Sequence, residues 1–167
     1  METLSRAGTV VFDKTGTLTK GVFEVSAIHP EKLDKNDLLH LAAHVERYST
    51  HPIAVSLRQA YGNENDGCEI TDVKEYSGSG IGAVVNGHKV YVGNDKMMAE
   101  IGLPAKSCHK TGTIVHVAVD GEYVGHIVIS DAVKTDSSKA IRALKSAGVG
   151  KTVMLTGDRA DVAKQVS

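Results

Sequence analysis

The sequence has 167 residues, of which 41% are hydrophobic and 23% are charged, so it can form one domain or two small ones with a packed core. Nineteen Lys and Arg balance twenty Asp and Glu, and the formal net charge of -1 gives no sign of nucleic-acid or membrane-surface binding. Two cysteines far apart in the sequence argue against a disulfide scaffold, and no apolar run reaches the ~20 residues of a membrane span. We therefore expect a soluble, monomeric chain from a reducing compartment.

The first third of the chain predicts a strand followed by two helices. A short apolar run, 10–12, ends at Asp13, which suits a buried parallel strand whose C-terminal end carries a functional loop. Apolar residues at helical spacing predict an amphipathic helix over 34–46. A second helix is predicted from Pro52 to about residue 61, because proline suits a first helical turn and Gly62 suits a helix end.

The middle of the chain has the pattern of antiparallel strands. Asn86-Gly87 and Asp120-Gly121 lie between apolar runs and are typical hairpin turns, since their residues tolerate positive φ. Beyond residue 130 a helix stopped by Gly148 leads to an apolar strand over 152–155. The sequence thus predicts an α/β fold in which a βα-type unit is split by an α+β insertion.

We place the insertion at 25–126, with residues 1–24 and 127–167 forming the host domain. The insertion is expected to be an antiparallel sheet flanked by helices, and the host a Rossmann-like domain.

The clearest chemical signal is the heptapeptide Asp-Lys-Thr-Gly-Thr-Leu-Thr that begins at Asp13. A carboxylate at a strand end among backbone N–H groups can attack a phosphoryl group and hold Mg²⁺. A lone aspartate there would be an ordinary turn residue. The complete heptapeptide, however, resembles the phosphorylation signature of P-type ATPases, which belong to the haloacid dehalogenase-like fold group.

That resemblance implies a role for each residue of the motif. Asp13 would be the nucleophile that becomes an aspartyl-phosphate, and Lys14 would contact the phosphate. Mg²⁺ would be held by the Asp13 carboxylate and the main-chain carbonyl of Thr15. Soluble phosphatases of the fold group usually have a second, acidic aspartate at the position of Thr15, so its absence here implies a long-lived phosphoenzyme.

Thr156-Gly157-Asp158 follows the second apolar strand and matches the TGD motif of the same family. If the two strands are neighbours, Thr156 lies beside Asp13 and can donate a hydrogen bond to the transferred phosphoryl group. The alternative is a helix N-cap before residue 160. By resemblance Asp158 joins the nucleotide-binding set. Asp131 and Lys134 look like the Asp-x-x-Lys hinge segment of the family, although surface charge explains them nearly as well.

Inside the insertion, His51-Pro52 resembles the His-Pro motif of the heavy-metal branch of P-type ATPases. An imidazole fixed before a helix offers a flat face for adenine, and the alternative is a loop histidine beside a helix-starting proline. By resemblance the nucleotide pocket is completed by Glu46, Gly78, Gly80, Gly93 and Asn94. Glycines permit a close backbone approach, and Glu46 can accept a hydrogen bond from the adenine amino group.

His40 and His44 lie four residues apart on the first predicted helix and could share a metal ion. No glutamate follows His40, as a zinc protease would require, and two ligands rarely make a site. We therefore expect structural or surface histidines here, and an inert thiol at Cys68.

Taken together, the resemblance implies the cytosolic nucleotide-binding domain and part of the phosphorylation domain of a heavy-metal pump. The implied cofactors are ATP and Mg²⁺, and the implied cargo is Zn²⁺, Cd²⁺ or Pb²⁺ more than Cu⁺. The lysine and GDGxND loop of a complete phosphorylation domain do not occur in the sequence. We therefore expect weak ATP binding and little turnover by this chain, and a membrane-embedded parent whose transmembrane and actuator domains are its partners.

Two other interpretations of the sequence remain open. A soluble haloacid dehalogenase-like phosphatase with a large cap would also join a strand-end aspartate to an insertion. A non-catalytic metal-binding module would rely on the eight histidines and two cysteines.

Overall fold

The computed structural model describes residues 9–13, 17–63, 65–134 and 136–155. Their chain order is β1 (Thr9–Asp13), β2 (Thr19–Pro30), α1 (Lys35–Val45), α2 (Pro52–Tyr61), β3 (Ile70–Tyr76), β4 (Gly80–Val85), β5 (His88–Gly93), α3 (Asp95–Glu100), β6 (Thr113–Val119), β7 (Glu122–Val133), α4 (Ser137–Ser146) and β8 (Lys151–Leu155). None of the helices described is long and apolar enough to cross a membrane.

The chain divides into two compact units. The larger is Phe23–Ser130, and the smaller combines the residues up to Val22 with those from Asp131 onward. The mixed α/β architecture, with an antiparallel sheet and helices, confirms the predicted fold class. The assignment of 25–126 as a nucleotide-binding domain inserted into a phosphorylation domain stays a prediction.

In the smaller unit, β1 and β8 pair in parallel. The register sets Asp13 opposite Leu155, so both strands end at the same edge. The strands predicted over 10–12 and 152–155 are therefore neighbours, as the TGD hypothesis required. Lys14, Thr15, Thr156 and Asp158 lie outside the described residues.

Asp131 fixes the beginning of β2 within the smaller unit. Its carboxylate accepts hydrogen bonds from the Thr19 hydroxyl and from the Gly21 amide, the latter at 3.0 Å. Nearby, the Leu18 carbonyl accepts from the Lys134 amide at 3.0 Å and from the Ser137 hydroxyl at 2.7 Å. Asp131 is therefore engaged more specifically than a solvated surface charge would be.

The larger unit is built on a six-stranded sheet with the order β2-β7-β6-β5-β4-β3. The pairings from β3 to β7 are antiparallel, and both predicted hairpins are present at Asn86-Gly87 and Asp120-Gly121. Helices α1 and α2 bury their apolar stripes against the sheet, which forms the main core. Members of that core that are fully buried include Leu38, Val45, Leu57, Val90, Val92 and Ile127.

Helices α1 and α2 begin and end where the sequence predicted. The Asp34 side chain caps α1 by accepting a hydrogen bond from the Asp37 amide at 2.8 Å. Gly62 ends α2 in the left-handed conformation, with φ of +75°. The bounds of these two helices could be predicted because the residues that start and stop them lie next to the helix ends in the sequence.

Strands β2 and β3 were not predicted from the sequence. Half of the residues of β2 and five of the seven residues of β3 are exposed, and neither strand shows an apolar alternation. β3 also contains a register shift between Thr71 and Lys74, with Asp72 at φ of +50°. A bulge of this kind breaks the period-2 pattern on which strand prediction depends.

A chain of four polar side chains runs through a second, smaller core beside α3. The Asp95 carboxylate lies 2.8 Å from His116 Nε2, and the Tyr123 hydroxyl lies 2.9 Å from His116 Nδ1 and 3.1 Å from His126 Nδ1. His116 is fully buried, and burial raises the pKa of Tyr123 above its usual range. The two methionines of α3 pack around this chain.

Candidate functional site

A cavity of about 330 Å³ lies within the larger unit, between the end of α1, the start of α2 and the β4–β5 hairpin. Every residue of the predicted nucleotide-binding set that the structure describes lines it, namely Glu46, His51, Gly78, Gly80, Gly93 and Asn94. These residues come from four separate stretches of the chain. The fold therefore brings together residues that the sequence analysis could describe only by their positions along the chain.

The turn between α1 and α2 is held by Arg58. Its Nη1 donates hydrogen bonds to the backbone carbonyls of Glu46, at 2.7 Å, and Ser49, at 2.8 Å. Glu46 is also the C-cap residue of α1. This clasp fixes the backbone that carries Glu46 and His51 to the cavity.

Glu46 is a partly buried carboxyl group in the cavity wall. Burial raises its pKa, and this effect outweighs the opposing hydrogen bond from Ser49 and the charge of Arg58. An ionised group held in such a place is a strong hydrogen-bond acceptor for a ligand donor.

His51 is both the N-cap of α2 and part of the cavity wall. Its Nδ1 accepts a hydrogen bond from the Ile53 amide at 3.2 Å, and its own amide donates to the Ser49 hydroxyl at 3.3 Å. In a neutral ring this leaves the proton on Nε2. His51 can therefore both cap α2 and line the pocket, since the cap orients the ring and the side chain is exposed at the cavity.

Gly80 and Gly93 are required by the protein's own backbone. The two residues face each other across β4 and β5. A Cβ atom on Gly80 would lie 2.2 Å from the Val92 carbonyl oxygen, and one on Gly93 would lie 2.3 Å from that of Ser79. Gly78 differs, because it has open space around it and a φ of +71°.

Asn94 connects the loop between β3 and β4 to the start of α3. Its Nδ2 donates to the Gly78 carbonyl at 2.9 Å, and its Oδ1 accepts from the amides of Lys96 and Met97 at 3.0 and 3.3 Å. Any contact of Asn94 with a ligand has to share these bonds. Its geometry fits a residue that positions the cavity wall.

Several residues of the cavity were missed by sequence reasoning. Apolar side chains of Ile53, Tyr76, Ile81 and Ile114 line it, as does Glu75. They belong to α2, β3, β4 and β6, and none lies in a recognisable motif. The glycine-rich start of β4 is the sequence signal that points to a ligand near these strands.

These features together suit a flat, polar heteroaromatic group. The cavity volume is at the lower end of the usual range for small-molecule sites, about 300–1,000 Å³. An imidazole, apolar walls and a carboxylate can stack, enclose and hydrogen-bond such a group.

The second predicted site is centred on Asp13. Its backbone ends β1 and its side chain is exposed, which makes the carboxylate available to a phosphoryl group and to a hard cation. The roles of Lys14, Thr15 and Thr156 stay predictions.

Comparisons with known proteins give a family match and several similar proteins. The family model of haloacid dehalogenase-like hydrolases matches residues 7–166. The zinc-transporting ATPase of Synechocystis sp. is 47% identical over 168 residues, which cover all of this chain and 23% of that protein. The cadmium, zinc and cobalt-transporting ATPase of Bacillus subtilis is 48% identical over 159 residues, or 95% of this chain and 23% of that protein.

Several solved structures are similar over almost the whole chain. The crystal structure of a zinc-transporting PIB-type ATPase in the E2.Pi state has a TM-score of 0.82 and 34% sequence identity, covering 99% of this chain and 28% of that one. The chain thus spans about a quarter of the length of the relatives it matches.

Proposed function

Since the chain belongs to the haloacid dehalogenase-like hydrolase family and is similar to heavy-metal P-type ATPases, as its motifs predicted, we propose that it is the ATP-binding and phosphoryl-accepting part of an ATP-driven heavy-metal pump. The whole protein would be an enzyme of the membrane, with this part on the cytoplasmic side. Its partners would be the transmembrane and actuator domains of the same pump.

The observation that carries the proposal is the convergence of the predicted nucleotide-binding residues on one cavity. In the proposed complex the adenine stacks on His51, whose ring is oriented by its bond to the Ile53 amide. The Glu46 carboxylate accepts a hydrogen bond from the adenine amino group. The backbone of Gly78 and Gly80 closes the cavity on the other side.

Phosphoryl transfer would take place at Asp13. A carboxylate oxygen of Asp13 forms a bond to the γ-phosphorus of ATP, the bond from that phosphorus to the bridging oxygen breaks, and ADP leaves. Lys14 and Thr156 would stabilise the negative charge of the transferred group. The exposed Asp13 carboxylate, a hard oxygen donor, fits Mg²⁺; with the Thr15 carbonyl it would hold the ion, which neutralises phosphate charge when bound.

The proposed cargo is a divalent soft metal ion such as Zn²⁺, Cd²⁺ or Pb²⁺. The names of the two relatives refer to zinc, and to cadmium, zinc and cobalt, which supports this class over Cu⁺. The site residues proposed for this chain serve ATP and Mg²⁺, and none is proposed as a ligand of the transported ion.

Calorimetric titration of the chain with ATP tests the proposal through the variant His51→Ser. Serine can still cap α2, so the variant removes the ring while keeping the helix start. Loss of base stacking, about 1–3 kcal/mol, predicts an affinity that falls about 5- to 150-fold. His88→Ser, at an exposed histidine of the Asn86-Gly87 hairpin, is the control and should bind ATP like the parent chain.

NMR shift mapping with ATP provides the second measurement. We expect shifts at Glu46, His51, Gly78, Gly80 and Asn94. Undiminished binding by His51→Ser, or shifts clustered elsewhere, would refute the pocket. Hydrolysis of p-nitrophenyl phosphate that Asp13→Asn abolishes, without nucleotide affinity, would favour the phosphatase instead.

A further inference from the structure

Four potential metal ligands gather beside α1, apart from the proposed nucleotide pocket. They are His40 and His44 on α1, and Asp66 and Cys68 in the segment between α2 and β3. Each offers one ligand atom, and these atoms all lie within 4.8 Å of one another. The sequence showed only two histidines one helical turn apart, and the fold adds the other two donors.

The distances between these donors fit tetrahedral coordination. Asp66 Oδ2 lies 3.0 Å from His44 Nε2 and 3.2 Å from His40 Nε2. Ligand atoms bound to zinc at about 2.0–2.3 Å are about 3.3–3.7 Å apart in a tetrahedron. The two rings are nearly perpendicular, at 86°, which allows their Nε2 lone pairs to converge. Small shifts of side chains would thus complete the site.

The cluster is also largely shielded from solvent. The side chain of His44 is 1% exposed, that of Asp66 18% and that of His40 22%. Among the described residues, the buried Nε2 of His40 has no hydrogen-bonding partner despite its closeness to Asp66. Hydrogen bonding between His44 and Asp66 therefore accounts for part of the cluster but leaves this nitrogen unexplained.

The carboxylate of Asp66 is held in place by further bonds. The Tyr61 hydroxyl donates to Oδ2 at 2.6 Å, and the Cys68 amide donates to Oδ1 at 3.0 Å. Partners of this kind orient a metal ligand from its outer side.

We propose that His40, His44, Asp66 and Cys68 bind one Zn²⁺ ion in a closed tetrahedral site. Two imidazoles, a carboxylate and a thiolate form a donor set that suits zinc. On binding, the Cys68 S–H bond breaks, its proton passes to solvent and a sulfur–zinc bond forms. The ion would fasten the segment before β3 to α1, the helix that ends at Glu46. This site is additional to the proposed ATP pocket and to any path of transported ions.

A second cluster, formed by His29, Cys108 and His126, is the natural comparison. Its donors also lie within 4.8 Å of one another, but there are three of them. The two imidazoles are stacked with an interplanar angle of 27°, unlike the nearly perpendicular rings of His40 and His44. It therefore provides a control for the proposed site.

Cobalt(II) titration of the whole 167-residue chain, after treatment with a chelator, tests the proposal. We expect one equivalent of Co²⁺ to give intense tetrahedral absorption bands and a thiolate-to-cobalt charge-transfer band, and Zn²⁺ to displace it. A weak octahedral spectrum without a thiolate band would overturn the assignment.

Matched cysteine variants locate the site. Cys68→Ser should abolish the charge-transfer band, whereas Cys108→Ser should leave it unchanged, and the reverse result would overturn the proposal.

His40→Gln should lower Zn²⁺ affinity at least about tenfold. Competition with a chromophoric chelator measures this affinity, and an unchanged affinity would count against the site. Circular dichroism of each variant checks its fold, and ATP affinity measured in parallel separates a failure here from a failure of the nucleotide pocket.

Discussion

The partly buried carboxyl group of Glu46 destabilises the fold when it is ionised, and a group of this kind indicates a binding function. It lies in the wall of the cavity, and burial disfavours its ionised form. Its carbonyl oxygen is satisfied by Arg58, so the backbone of this residue already serves the fold. A carboxylate kept in such a place is best explained by a ligand that it binds.

Replacement of Glu46 by glutamine should stabilise the chain at neutral pH. A raised folded-state pKa means that stability from the protonated carboxyl is present at low pH and is lost as pH rises through that pKa. Glu46→Gln mimics the protonated form, so its melting temperature should exceed that of the parent at pH 8, with the difference vanishing near pH 4. Thermal unfolding across this range measures it, and an equal difference at all pH values would contradict it. ATP affinity should fall in the same variant.

The motifs identified six of the fifteen residues that line the cavity, but not all of their tasks. The His-Pro motif predicted a ring at the pocket, and the structure adds that Nδ1 of His51 is used to cap α2. Asn94 was predicted as a nucleotide contact, yet its amide group is hydrogen-bonded to the β3–β4 loop and to the start of α3. A motif records which residue stands at a position, whereas its hydrogen-bonding partners depend on neighbours brought in by the fold.

The hairpin of β4 and β5 forms the rigid side of the pocket. Gly80 and Gly93 permit its two strands to approach closely where the cavity begins. Their role is steric, whereas that of Gly78 is conformational. The three glycines of the predicted set therefore serve two different physical needs.

Alanine substitutions should separate these needs. Gly93→Ala places Cβ 2.3 Å from a backbone oxygen, which the strand cannot avoid, so we expect a loss at or above the upper end of the usual overpacking range, about 3 kcal/mol. Gly78→Ala meets open space and should lose about 1–2 kcal/mol for its left-handed backbone. Urea denaturation of both variants measures the difference, and equal losses would show that steric contact at Gly93 is unimportant.

Elements with local signals were predicted well, and those without them were not. The helices 34–46 and 52–61 and both hairpins carry caps, prolines or turn pairs within a few residues. Half of β2 and most of β3 are exposed, and β3 contains a bulge. Neither strand therefore shows the alternation of apolar and polar residues by which a strand is recognised in a sequence. The cluster of His40 with Cys68 was likewise beyond sequence reasoning, because its donors come from α1 and from the segment before β3.

The division of the chain keeps the cavity, with every described residue of the predicted nucleotide-binding set, in one unit. All residues that line the cavity fall within Phe23–Ser130, which also has its own main core. Asp13 belongs to the other unit. Under the proposed function, nucleotide binding and phosphoryl acceptance would therefore belong to different units of the chain.

A fragment of residues 23–130 should therefore fold and bind ATP with the affinity of the full chain, within about twofold. Calorimetric titration of both proteins measures this, and circular dichroism confirms the fold of the fragment. Asp13→Asn in the full chain is the matched control and should leave the affinity unchanged. A fragment that folds but does not bind would show that the other unit contributes to the pocket.

The hydrogen-bonded chain from Asp95 to His126 has an electrostatic consequence. For neutral imidazoles its order is fixed by the carboxylate: His116 donates to Asp95, the Tyr123 hydroxyl donates to His116, and His126 donates to Tyr123. All three donors point the same way, so their dipoles add. The hydrogen-bonded chain is therefore polarised toward Asp95, the first residue of α3. At its other end the Nε2 atom of His126 has no hydrogen-bonding partner among the described residues. Its lone pair makes this nitrogen a Lewis base inside the β-sheet.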